Sequence, residues 1–109
     1  MTDSPTSSSA RVYYVVEMTV RYTSLPQAME QAPEALAEHR ARARRMHDAG
    51  QVIMAGAFLH PDSEGGPLRT MAICSTREVA EDFVAGDPFV IRGEVATHSI
   101  REWANMFSG

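Results

Sequence analysis

Lysine is missing from the sequence: every one of the ten basic residues is arginine. That absence excludes Schiff-base catalysis and the lysine of a Walker-type phosphate loop. Cysteine is nearly missing. Cys74 stands alone, so neither an internal disulfide nor a multi-cysteine zinc site can form. Long apolar runs are missing too. The longest uninterrupted stretch of apolar residues and glycine is Val52 to Leu59, far below the ~18 residues of a membrane helix. Positive charge is not in excess: Lys plus Arg is 10 against 14 for Asp plus Glu, a net charge of −4. That balance argues against nucleic acid or a membrane as partner. Neither a nucleophile elbow around serine nor a dinucleotide glycine fingerprint is present.

What is there fits one small globular domain. The chain has 109 residues, 44% hydrophobic and 22% charged, enough for a single core. Met1 to Ala10 is polar, contains Asp3 and Pro5, and lacks the apolar segment of a signal peptide. It is expected to be a flexible tail ahead of a domain over residues 11–109, in a cytoplasmic protein.

Val12 to Val20, rich in Val, Tyr and Thr, reads as a strand, and Tyr22 to Pro26 as a connection with Leu25 non-helical before Pro26. Pro33 to Ala49 has helical spacing and stops at Gly50. Gln51 to Leu59 is a second strand, His60 to Pro67 a loop, and Leu68 to Cys74 a third strand. Ser75 or Thr76 can cap a helix over Arg77 to Ala85, with Ser75 and Glu78 at capping-box spacing. Gly86-Asp87-Pro88 ends that helix, and Glu94 to Trp103 is the fourth strand. The order β-α-β-β-α-β predicts an α+β, ferredoxin-like domain: a four-stranded antiparallel sheet with two helices on one face. Strands one and two carry apolar residues on both faces. A wet apolar face is costly at about 25 cal/mol per Å2, so a homodimer with sheets facing each other is expected.

His39 falls on the apolar side of the first long helix with Leu36, Ala43 and Met46. It reads either as a core histidine bonded to a carbonyl or as a general acid-base. Asp87 reads as a turn or cap residue, or as a carboxylate that orients His39. Arg92, close to Asp87 in sequence, is a candidate substrate-binding residue for an anionic group. Arg40, Arg42, Arg44 and Arg45 form a basic run that reads as a solvated face, with Glu38 and Arg42 at favourable i,i+4 spacing. His39 and His47 are two turns apart, too far for joint ligation from one straight helix, so no metal is expected. Cys74 reads as a small core residue.

Two stretches carry a family likeness. His39-Arg40-Ala41-Arg42 leads to Met46-His47-Asp48-Ala49-Gly50-Gln51-Val52-Ile53-Met54-Ala55-Gly56; Ser75-Thr76-Arg77-Glu78-Val79-Ala80 leads to Asp87-Pro88-Phe89-Val90 and Gly93. Taken in order, they resemble the YciI-like (YCII-related) proteins. The resemblance implies a dimeric α+β barrel and an active-site pair of helical histidine and Asp-Pro-Phe aspartate, here His39 and Asp87. The chain departs from the family pattern at Leu36, Ala37 and Glu38, where an arginine is common, and at Ala57, where proline is common. Both departures point to a different substrate or a silenced site. The resulting expectation is a small cofactor-independent enzyme of lyase, dehydratase or isomerase type, moving protons on a small organic molecule through His39 and Asp87. The alternative is a non-catalytic small-molecule-binding or accessory protein on the same dimeric fold.

Overall fold

The computed structural model describes residues 11–107. The polar tail expected over residues 1–10 lies outside them. In chain order the elements are β1 (Arg11–Val20), α1 (Leu25–Gln31), α2 (Pro33–Asp48), β2 (Val52–Ala57), β3 (Leu68–Cys74), α3 (Arg77–Ala85), α4 (Pro88–Ile91) and β4 (Val95–Asn105). The sheet order is β2-β3-β1-β4, with every neighbouring pair antiparallel. This is the ferredoxin-like α+β arrangement.

Strand alternation decides which residues meet the helices. Val16, Met18 and Val20 of β1 are buried, and opposite them on β3 stand Ala72, Thr70 and Leu68. Val16, Met18, Ala72 and Cys74 join Met46 of α2 and Ala80, Phe83 and Val84 of α3 in one core cluster. A second cluster joins Val20, Tyr22 and Leu68 to Ala28, Ala32, Leu36 and Phe89. Burying each large apolar side chain contributes roughly 1.5–3 kcal/mol, so these two clusters hold the helices on the sheet.

Two helical segments depart from the expected order. Leu25 is helical, the first residue of α1. The Ser24 hydroxyl accepts from the Gln27 amide at 3.1 Å, and Pro26 sits in the first turn, where its missing N–H costs nothing. The chain then bends at Ala32 (φ −140°), because Pro33 disfavours helical geometry in the residue before it. The second unexpected segment is α4, a single turn started by Asp87 directly after the Gly86 stop. Smaller differences follow from local contacts. Thr76, not Ser75, caps α3, its hydroxyl accepting from the Val79 amide at 3.1 Å. β2 ends at Ala57, and Leu59 beyond it is 85% exposed, with no surface to pack on.

The face away from the helices is not uniformly apolar. Tyr13 and Val15 of β1 share it with Met54 and Trp103, both about half exposed. Its centre is ionic: Glu17 accepts from Arg69 at 3.2 Å and lies 3.5 Å from Arg101.

Candidate functional site

His39 is positioned by the helical period. Leu36 and Met46 are buried and Ala43 packs against the core, so their stripe of α2 faces inward and carries His39 with it. The imidazole lies between two aromatic rings, Phe83 of α3 at 6.2 Å and Phe89 of α4 at 5.8 Å between centroids. Its Nδ1 donates to Asp87 Oδ1. Asp87 is 1% exposed, and its other oxygen accepts from the Phe89 amide at 3.0 Å and the Val90 amide at 3.3 Å. The cap reading and the orienting reading of Asp87 therefore describe the same carboxylate. One oxygen starts α4 and the other holds the histidine. With Nδ1–H committed to a carboxylate, Nε2 is the ring nitrogen left to accept a proton or a ligand hydrogen bond.

His39 and Asp87 line a cavity of about 720 Å3 between α2, the inner face of β1 and β3, and the edge strand β2. That volume is within the range of small-molecule sites. Met18, Val20, Leu36 and Leu68 give it an apolar floor, while Arg40, Arg44 and His47 line it from α2. His47 is fastened differently from His39: its Nδ1 donates to the Val52 carbonyl at 2.8 Å, tying the end of α2 to the start of β2.

Arg42 has a task that its spacing did not announce. Instead of pairing with Glu38 along the helix, it crosses to α3, where its guanidinium donates to the Phe83 carbonyl at 2.9 Å and the Asp82 carbonyl at 2.6 Å. The Phe83 carbonyl is an orphan of the last turn, the Asp82 carbonyl also takes the Gly86 amide at 3.0 Å, and a cation here complements the helix dipole. Gly86 makes room for this clamp. A Cβ there would sit 2.7 Å from the Arg42 guanidinium carbon. The clamp thus joins α2 one turn past His39 to the corner that delivers Phe83 and Asp87. No local pattern reveals it, because its partners are some forty positions away.

Arg92 is placed apart from this group. It caps the end of α4, bonds Glu94 through two contacts of 3.2 Å, and is not among the residues lining the cavity. Burial pushes the Glu94 carboxyl up, but hydrogen bonds from Arg92 and Tyr22, with the charges of Arg92 and Arg21, outweigh it and hold the group below its usual value. Cys74 is fully buried, and burial pushes its thiol up to about 11, so it is a neutral core residue near pH 7. Among the described residues, no three of His, Cys, Asp and Glu gather as a potential metal site. No helix among them is long and apolar enough to cross a membrane.

Comparison with known proteins adds a family and a fold. The YCII-related domain matches residues 12–104. No curated protein matches the chain by sequence. Among solved structures, 5-chloro-2-hydroxyhydroquinone dehydrochlorinase from Burkholderia phenoliruptrix AC1100, in complex with 2,5-dihydroxybenzoquinone, superposes with a TM-score of 0.60 at 17% identity. That match covers 84% of this chain and 92% of the other. A mutant of SnoaB, a cofactor-independent oxygenase from Streptomyces nogalater, gives a TM-score of 0.48 at 15% identity, over 89% of this chain and 94% of that one.

Proposed function

The chain belongs to the YCII-related domain family, and on that premise we propose that it is a small cytoplasmic enzyme of lyase, dehydratase or isomerase type, with His39 as its general base and acid. The observation that carries this reading is the buried Asp87 carboxylate bonded to His39 Nδ1 at the wall of an open cavity. In the reaction, neutral His39 accepts a proton at Nε2 from a C–H or O–H group of the ligand. The electron pair left behind moves into a carbonyl or expels a leaving group. The imidazolium, held through Nδ1–H by Asp87, then returns its proton to a second atom of the ligand or to the departing group. Asp87 offsets the charge the ring gains and keeps it from rotating. His39 and Asp87 are catalytic and positioning residues respectively. The working unit is a homodimer formed through the bare sheet face around Tyr13, Val15, Met54 and Trp103.

The test is proton exchange with solvent. The purified protein is incubated in D2O with small carbonyl, enol and hydroxyquinone compounds, and NMR follows deuterium entering the ligand. Hydroxylated and chlorinated hydroquinones come first, because the dehydrochlorinase of like fold acts on one. The reading predicts exchange or elimination that disappears in His39→Ala. Binding without any exchange contradicts it and favours a binding protein, while equal exchange by wild type and His39→Ala removes His39 as the base.

A further inference from the structure

The basic run of α2 is sorted by the fold. Arg42 is consumed in the clamp on α3. Arg45 does not line the cavity, whereas Arg40 and Arg44, one turn apart on the same side of the helix, both do. Arg40 makes no ion pair among the described residues, and Arg44 is held only by Asp48 at 3.2 Å in an exposed i,i+4 pair, a weak tie. Only one carboxylate lines the cavity, Asp87, and it is occupied by His39 and two backbone amides. The wall therefore presents two guanidinium groups, of which only Arg44 has an anion beside it, the exposed Asp48 outside the cavity, above a floor of Met18, Val20, Leu36 and Leu68.

We propose that this cavity takes small, flat, apolar molecules carrying a carboxylate, with Arg40 and Arg44 holding the oxyanion at the rim and the apolar body lying on the floor toward His39. The proposal rests on the reading of the cavity as the reaction site, and it names the ligand class. Arginine suits the task because its planar fork matches a carboxylate bidentately and cannot be deprotonated.

Two probes of equal body and different charge, 2-naphthoate and 2-naphthamide, test it by titration in 1H–15N spectra. The naphthoate is expected to bind about tenfold more tightly, a single charge-assisted contact's worth, and to shift amides of residues 40–44 and 52–57. Arg40→Gln with Arg44→Gln should reduce that preference to about threefold or less, while Arg45→Gln, the same type of charge loss outside the cavity, leaves it intact. Equal binding of the two probes, no binding by either, or an equal loss in Arg45→Gln overturns the proposal. His39→Ala separates the two readings: it should abolish proton exchange and keep the naphthoate preference. Equal binding of the two probes with exchange intact would sink the carboxylate proposal alone, and a naphthoate preference with no exchange on any ligand would sink the proton-transfer reading alone.

Discussion

Two histidines on one helix present the same ring nitrogen to different acceptors. His39 Nδ1 meets the Asp87 carboxylate, and His47 Nδ1 meets the Val52 carbonyl. Both rings line the cavity. The difference lies in what each acceptor can do when the ring gains a proton. A carboxylate brings a full opposing charge, while a carbonyl offers only a dipole. The surroundings differ as well. His39 is enclosed by Phe83, Phe89 and a carboxylate that is 1% exposed, whereas His47 lies at the open end of α2. On the proposed reading, the same side chain in the same helix serves once as a proton carrier and once as a structural tie.

The largest expected effect breaks the comparison directly. His39→Ala should lower ligand proton exchange by about a hundredfold or more, the usual weight of a positioned acid-base, while His47→Ala should change it by no more than about threefold. Equal losses would erase the distinction. Next comes Asp87. Asp87→Ala strands the buried Phe89 amide, the half-buried Val90 amide and the His39 ring, and should cost about 2–3 kcal/mol in denaturant unfolding. Asp87→Asn keeps an oxygen for the cap, so it should cost less stability while still reducing exchange.

The clamp supplies a smaller effect. Gly86→Ala forces the Arg42 guanidinium off the Asp82 and Phe83 carbonyls and should cost about 1–2 kcal/mol. Arg42→Ala removes the same bonds, so the double variant should lose clearly less than the sum of the two single losses. Additive losses would show that the two residues act separately. The smallest effect is a pH dependence away from the site. Glu94 is held below its ordinary 4.5, so its folded-state stabilisation is complete above that pH and fades as pH falls through the lower folded value. The stability gap between wild type and Glu94→Gln should be level from pH 5 to 8 and shrink in more acid solution. A gap that widens on acidification would reverse the assigned sign.

The sequence made some of this legible and hid the rest for physical reasons. β3 at Leu68–Cys74 and α3 at Arg77–Ala85 match their expected bounds because turn residues flank regular patterns on both sides. The inward face of His39 follows from its spacing to Leu36, Ala43 and Met46. α1 was hidden because Leu25 precedes a proline, and only the Ser24 cap shows that a first turn tolerates it. α4 was hidden because four residues are too few to display a period. For Asp87 the residues alone leave a cap and an orienting carboxylate open, and the family likeness favours the pair, since no local rule spans the 48 positions between His39 and Asp87. Arg92 is close to Asp87 in sequence, but α4 turns between them and Glu94 takes its guanidinium.

The central claim concerns where one proton sits. A long-range 1H–15N spectrum of the histidine side chains, recorded through a pH titration in wild type and Asp87→Asn, reads it directly. The account predicts that neutral His39 carries its proton on Nδ1 with Nε2 bare, and that Asp87→Asn disturbs this ring while leaving His47 unchanged. A neutral His39 protonated on Nε2, or one indifferent to Asp87→Asn, would contradict it.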